Sequence, residues 1–516
     1  MSASKRIAIA VGISWISRGI SIFSGLLLIP ILFRFMGKEE LGLWFLLGNS
    51  QAFLGLLGMG VAPTLTRYIA LVKGKSGTEL DAVLTQDIQE QLGDLVETGR
   101  IVLLCVSVFT FFVALILGSF LLKNLTLQGI SPQLLLFVWF LMCAGYAIGV
   151  WVSYLDCLLM GIGYVGWNDI VRTVISLLTI ILNIIVVFLG YGLIALAIIS
   201  IITALLQRIA MWKLIDWKKP EIHSIKGSWN YELAKAMFKP SISFWLTGLG
   251  AFSLYKTDQY FIALFSGASD VAIYQATYSV IFNLALVSLT PVNSASVFIS
   301  QFWSNGNIEF IHRFLIKSCL NGLLIMASGF CFFLISGREF FTLWLNGSFI
   351  GYPIMTILLV SITLDTQHGL LTGLSRSTND EKYAFTGGIA GFLNLIFTFI
   401  LTKRFGLIGV PMGTLLAQLL TNNWYGVYRP LKRLKFPLKR YFSKIIFPIL
   451  ILNSISIVIV FAFRFLFLRL FSLDPVHHKI VFVSLIFFLC LCSLTLQWLL
   501  LIKQQNSFAS IGIHTK

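Results

Sequence analysis

The sequence predicts an all-α integral membrane protein with about fourteen transmembrane helices, built as two pseudo-symmetric six-helix bundles plus two C-terminal helices. Composition is the first reason. Of 516 residues, 57% are hydrophobic and 11% charged, whereas a soluble domain carries about 25% charged residues. So few polar groups cannot cover a globular surface. Apolar run length is the second reason. Ile7–Phe33, Ile101–Leu122 and Val174–Leu189 approach or exceed the ~20 residues that cross a bilayer. An internal repeat, described below, is the third.

Taken in order, the spans fall at 9–33, 41–63, 100–122, 134–159, 170–189, 192–212, 240–265, 271–299, 314–335, 352–374, 383–402, 407–426, 443–467 and 479–502. Met1–Arg34 has a basic start at Lys5 and Arg6. Arg18 interrupts its apolar core and no small-residue cleavage site follows, so it is read as a retained first helix. The polar segment Thr78–Glu97 carries apolar residues at Leu80, Val83, Leu84, Ile88 and Leu92. It reads as an amphipathic helix lying on the inner surface, with a disordered loop as the alternative.

Basic residues set the orientation, because Lys- and Arg-rich loops stay in the cytoplasm. With the N-terminus inside, the inner loops include Lys213–Lys239 and the strongly basic Arg429–Lys444. Both termini are then cytoplasmic. The formal charge of +17 follows topology, so its expected partner is anionic membrane lipid and not nucleic acid. Arg464, Arg469 and Lys479 fall outside, against the rule.

The octet Gly37-Lys38-Glu39-Glu40-Leu41-Gly42-Leu43-Trp44 returns in degenerate form as Gly267-Ala268-Ser269-Asp270-Val271-Ala272-Ile273-Tyr274. Gly192-Leu193-Ile194-Ala195 returns as Gly406-Leu407-Ile408-Gly409. Six spans separate each unit from its echo, so the halves point the same way and their axis lies along the membrane normal. The organisation is a six-helix bundle at 1–212, a cytoplasmic linker at 213–239, a second six-helix bundle at 240–428, and a basic loop with two extra helices at 429–516. At the outer turns the octet glycine permits a tight bend, its acid can cap the next helix and its aromatic can anchor at the interface.

Several chemistries find no support. No Walker A sequence, zinc motif or nucleophile elbow is present, so ATP hydrolysis, a metal and catalysis are not expected. The seven cysteines lie in apolar stretches without ligand spacing and read as packing thiols. Pro30, Pro291, Pro353, Pro411 and Pro448 lie in or near helix interiors, where a missing N–H permits kinks.

Residues 22–70 resemble the start of the bacterial polysaccharide-flippase family, within the multidrug/oligosaccharidyl-lipid/polysaccharide exporter superfamily. The resemblance is carried by Pro30, Phe35-Met36-Gly37 through Trp44, Gly58-Met59-Gly60 and Leu65-Thr66-Arg67-Tyr68-Ile69-Ala70. Thr257-Asp258-Gln259, the Val271–Tyr278 stretch and Phe405-Gly406-Leu407-Ile408-Gly409-Val410-Pro411 add to it. The last two helices carry no such motif. The resemblance implies an O-antigen-type (Wzx-like) flippase in the bacterial inner membrane, turning undecaprenyl-diphosphate-linked oligosaccharides between leaflets. For such a flippase no cofactor is expected, a proton or sodium gradient is the expected energy source, and a polysaccharide polymerase and chain-length regulator are the expected partners in lipopolysaccharide or other surface-polysaccharide assembly. A peptidoglycan-precursor flippase, a multidrug exporter and a polytopic polymerase or ligase are the alternatives. Arg18 argues against a cationic drug, and a polymerase would need a large outer loop where the longest polar stretches are assigned inside.

Such a substrate needs a hydrated cavity with positive charge, and charges inside spans are costly enough to be functional candidates. Arg18, with Ser14 and Ser21 on its face, reads as a cavity cation, or as a side chain that snorkels or pairs with a carboxylate. Lys256 and Asp258 lie about 200° apart on a helix and so have different partners; transport roles and an interhelix ion pair stand equally. Lys256 with Ser253 and Tyr260 makes a second polar strip. Asp365 and His368, spaced i, i+3 with Thr372 beyond, could relay a proton or make an ordinary intrahelical hydrogen bond. Asp258, Asp365 and His368 are the ion-coupling candidates. Arg67, Arg172 and Arg376, the last two after the Met160-Gly161 and Thr372-Gly373 turns, could receive the diphosphate or be what the basic-loop rule supplies anyway.

Overall fold

A computed structural model of the chain describes residues 3–57, 60–74, 85–123, 131–220, 227–238, 241–242, 252–253, 256–304, 306–378, 380, 382–470 and 479–511. Among these residues there is no strand. The helices are α1 (Ala3–Phe35), α2 (Lys38–Leu57), α3 (Val61–Gly74), α4 (Gln86–Lys123), α5 (Pro132–Gly161), α6 (Val165–Phe188) and α7 (Gly192–Lys218). They continue with α8 (Asp258–Phe265), α9 (Ala268–Ser304), α10 (Ile308–Trp344), α11 (Tyr352–Arg376), α12 (Tyr383–Phe405), α13 (Gly409–Leu420) and α14 (Asn422–Arg433). The last are α15 (Leu438–Tyr441), α16 (Phe447–Leu470) and α17 (Lys479–Ile511); a further short helix covers 231–238.

Ten stretches are long and apolar enough to cross a membrane among the described residues. One of them, Phe385–Arg433, runs 49 residues and holds two expected spans. Of the expected spans outside the ten, 9–33 falls within α1, 41–63 is interrupted between α2 and α3, and the first part of 240–265 lies largely outside the described residues. A multi-pass membrane protein of about fourteen helices is the fold. Lipid imposes it, because backbone polar groups in hydrocarbon must be satisfied within the segment.

The chain separates into two compact units, Met1–Ala272 and Ile273–Lys516. The first is cored by α3, α4, α5 and α7, with Leu65, Ile69, Leu92, Leu155 and Met211 buried together. Residues 227–238 are strapped to it. Asp94 Oδ1 accepts from Ser228 N–H at 2.7 Å and from its hydroxyl at 3.0 Å, and Thr98 Oγ1 accepts from Asn230 N–H at 3.0 Å. The second unit is cored by α9, α10, α11, α14 and α16, around Leu315, Cys319, Leu370, Leu374, Leu431 and Tyr441.

Several elements depart from the sequence reading. The expected span at 41–63 breaks: α2 stops at Leu57 and α3 starts at Val61, after Gly60 takes φ 64°, a conformation cheap only for glycine. The Thr78–Glu97 segment is not a separate surface helix in its described part. Residues 86–97 are the first turns of α4, which runs unbroken to Lys123, and Ile88, Leu92 and Leu95 bury against α3. Leu80, Val83 and Leu84 lie outside the described residues. Pro353 does not kink a helix; it sits in the first turn of α11, where its missing N–H is not needed. Pro411 is likewise in the first turn of α13. Pro30 and Pro291 do lie inside helices, and Pro448 follows a π turn at Phe442–Ile446.

The repeated octets meet each other. A methyl at Gly42 would overlap the backbone carbonyl of Ala268, so one residue of each copy packs closely within the first unit. The octet's acid lies in the first turn of the next helix in both copies, Glu40 in α2 and Asp270 in α9, and Glu40 also caps a distant helix. Glu40 Oε1 accepts from Leu193 N–H at 3.0 Å, at the N-terminus of α7, and Gly192 at φ 59° leaves room for that carboxylate.

Candidate functional site

Among the described residues, two polar clusters and one clamp hold the buried acids Asp156, Asp380 and Glu339, one cluster in the first unit, the other cluster and the clamp in the second. In the first unit α5 carries a single charged residue, Asp156. Its carboxylate is buried and takes the Gln207 amide of α7 at 3.3 and 3.4 Å and the Arg172 guanidinium of α6 at 3.6 Å. One helical position after Gln207, Arg208 lies over the Trp151 ring at 4.0 Å. Arg172, expected as a diphosphate receptor, is thus half-exposed and tied to a carboxylate. Asp156 itself escaped the sequence reading, although a lone acid in an apolar helix was visible.

Lys256 is half-buried at a turn, and its backbone carbonyl accepts from Asn49 Nδ2 at 2.7 Å. Helical bonds run up to this turn: Lys256 N–H donates to Phe252 O at 2.9 Å and Thr257 Oγ1 to Ser253 O at 2.8 Å. Asp258 then opens α8, buried, where the positive end of the helix dipole favours a carboxylate. Both residues pack with the first unit. Arg18 belongs to α1; its side chain and those of Ser14 and Ser21 lie outside the described residues. Arg67 is exposed on α3.

In the second unit Asp365 and His368 share α11. The His368 ring reaches away from its own helix: Nδ1 lies 2.9 Å from the Asn422 backbone carbonyl at the start of α14. A methyl at Gly426 would overlap that ring. Thr372 and Gly373 are helical and do not form a turn, since Thr372 Oγ1 donates to His368 O at 2.8 Å and Ser377 N–H to Gly373 O at 3.2 Å. The chain leaves α11 only after Arg376, which is exposed and lies over the Tyr383 ring at 5.5 Å.

Beyond Arg376 a dense network forms that the basic-loop reading had concealed. Arg429 of α14 grips Asp380 with two bonds of 2.9 Å, Nε to Oδ2 and Nη2 to Oδ1. Ser375 Oγ donates to Asp380 Oδ2 at 3.1 Å and accepts from the Tyr383 hydroxyl at 2.8 Å. The Arg429 fork beside it holds the Asp380 carboxyl below the usual aspartate range. A separate clamp holds Arg464, one of the three basic residues expected outside; the side chains of Arg469 and Lys479 lie outside the described residues. Arg464 of α16 donates to the Ile335 carbonyl, and to Glu339 Oε1 of α10 at 3.1 Å. All seven cysteines are free thiols, five of them buried.

Comparison with known proteins follows the same lines. Residues 9–303 match the family described as polysaccharide biosynthesis protein. No curated protein matches the sequence significantly. Among solved structures, the Lipid II flippase MurJ in an inward closed conformation matches with a TM-score of 0.68 at 14% identity, covering 92% of this chain and 97% of that one. An inward-facing multidrug resistance MATE family transporter of the MOP superfamily matches at 0.64 and 16% identity, covering 82% and 99%. The MATE multidrug transporter DinF-BH matches at 0.58 and 13%, covering 84% and 98%. With more than half its length matched, and on a fold like that of MurJ and the MATE transporters, the chain belongs to the polysaccharide biosynthesis protein family.

Proposed function

We propose that this protein is a flippase, moving undecaprenyl-diphosphate-linked oligosaccharide repeat units, of O-antigen or another surface polysaccharide, from the inner to the outer leaflet of a bacterial cytoplasmic membrane. The observation that carries this reading is family membership over residues 9–303. The likeness in fold to a lipid-linked precursor flippase over 92% of the chain supports it. A diphosphate and a glycan do not enter hydrocarbon unaided, so the halves must open alternately around a cationic, hydrated path. Arg18 and Lys256 are the cations proposed to line it, and a proton or sodium gradient acting through Asp258, Asp365 or His368 is proposed to drive it. The chain catalyses no covalent step in this reading, and a polymerase with its chain-length regulator takes the product outside.

A peptidoglycan-precursor flippase is the second reading, favoured by the MurJ likeness, which reaches further along this chain than the MATE likenesses do. Complementation separates the two. Growth of O-antigen in a strain lacking its own flippase is the expected result; rescue only of a strain depleted of its peptidoglycan-precursor flippase would transfer the assignment. Arg18→Ala is expected to lower translocation in liposomes about tenfold or more while the protein still inserts; undiminished flipping would remove Arg18 from the path.

A further inference from the structure

Two indole rings meet at a right angle at one end of the first unit. Trp167 lies in the first turn of α6 and Trp217 in the last turn of α7; their centroids are 5.2 Å apart, with the planes at 86°. The Lys218 ammonium rests against both rings, 3.4 Å from the Trp217 centroid and 4.3 Å from that of Trp167. All three residues belong to the first unit. Lys218 makes no ion pair among the described residues, so neither of the acids nearest in sequence, Asp169 and Asp216, holds it there. Both rings keep an open side, Trp217 being 64% exposed and Trp167 39%. Lys213 precedes Trp217 by one turn on the same face of α7 and is exposed.

The face of an indole ring attracts a cation more strongly than that of any other side chain, and two faces set around one ammonium make an aromatic cage. The cage already holds a primary ammonium, that of Lys218, so its dimensions fit that group. We propose that Trp167 and Trp217 bind the primary ammonium of an ethanolamine-type phospholipid headgroup, which displaces the Lys218 ammonium, while Lys213 meets the headgroup phosphate. The lysine stem is long and flexible, so its ammonium leaves the rings without moving either helix. A zwitterionic headgroup is complementary to a π corner beside a cation, whereas an anionic headgroup lacking an ammonium engages only Lys213. The rings stand at the ends of the expected spans 170–189 and 192–212, at the depth where tryptophans meet headgroups. The general attraction of basic loops for anionic lipid does not choose between headgroups; this site does, and it is independent of the flippase reading.

The test incubates the full-length protein in detergent with equal amounts of short-chain phosphatidylethanolamine and phosphatidylglycerol, and counts the lipids retained by native mass spectrometry. Phosphatidylethanolamine is expected to be retained about fivefold more than phosphatidylglycerol. Trp217→Leu is expected to remove that preference and leave phosphatidylglycerol within about twofold, whereas Trp217→Tyr, which keeps a π face, retains most of it. Lys218→Met, which empties the cage, is expected to raise phosphatidylethanolamine retention about threefold. Lys213→Met is expected to lower both lipids alike, because each carries a phosphate. Equal retention of the two lipids by the unaltered protein would overturn the site. So would a preference that survives Trp217→Leu, since the rings would then be an ordinary interfacial belt. If Lys218→Met fails to raise retention, the rings are only a rest for that lysine and the site falls. Loss of the preference in both Trp217→Leu and Trp217→Tyr would mean that the rings act through packing, and that result also overturns it.

Discussion

Asp380 shows how a single buried carboxylate acquires its energy. Its partner fork favours the charged form, so its folded value lies below the unfolded one of about 3.9. The contribution is therefore fully present above that unfolded value and is lost as pH falls through the folded one. Asp380→Asn is expected to cost about 1–3 kcal/mol, constant between pH 5 and 8 and vanishing in stronger acid; denaturation midpoints of both forms against pH check it. Gly42 illustrates the steric counterpart. Gly42→Ala is expected to cost about 1–3 kcal/mol, since the methyl must displace the Ala268 carbonyl; an unchanged melting temperature would show that α2 and α9 do not meet this closely. At this scale the sequence displayed the residues but hid their relations. Arg429 was counted among loop cations because its acid lies 49 positions earlier.

At the scale of elements, the clamp between α10 and α16 gives Arg464, which the basic-loop rule expected elsewhere, a carboxylate partner. It neutralises Glu339, which is buried, and its guanidinium also lies over Phe482 at 5.5 Å, so the extra helices are pinned by charge as well as by packing. Arg464→Ala is expected to destabilise by about 3–5 kcal/mol by stranding a buried carboxylate. Pairing it with Glu339→Gln should recover much of that loss, and a double-mutant cycle measures the coupling; additive losses would mean the pair is not coupled. Helix lengths followed apolar run length wherever a segment was uniformly apolar, as in α5, α6 and α12. They departed from it where local chemistry intervened, at the Gly60 break and at α4, whose first turns are polar on one side yet buried on the other against Leu65 and Ile69.

At the scale of the whole molecule, topology links fold to proposed function. Reporter fusions placed in 75–84 and 221–226 are expected to report the cytoplasm, because Lys213–Lys239 and Arg429–Lys444 are the most basic connections; a periplasmic signal from either would invert the orientation and revive an enzyme with a polar outer loop. The sequence by itself determined the membrane class, the helix count and the family. Those depend on composition, run length and local motifs, and a long uninterrupted apolar run satisfies its own backbone in a bilayer only as a helix. Only the tertiary structure decided what the buried charges touch: Asp156 with Gln207, Glu40 with the start of α7, Asp380 with Arg429. These partners lie 51, 153 and 49 positions apart, and helix packing, not spacing along the chain, brings them within hydrogen-bonding reach.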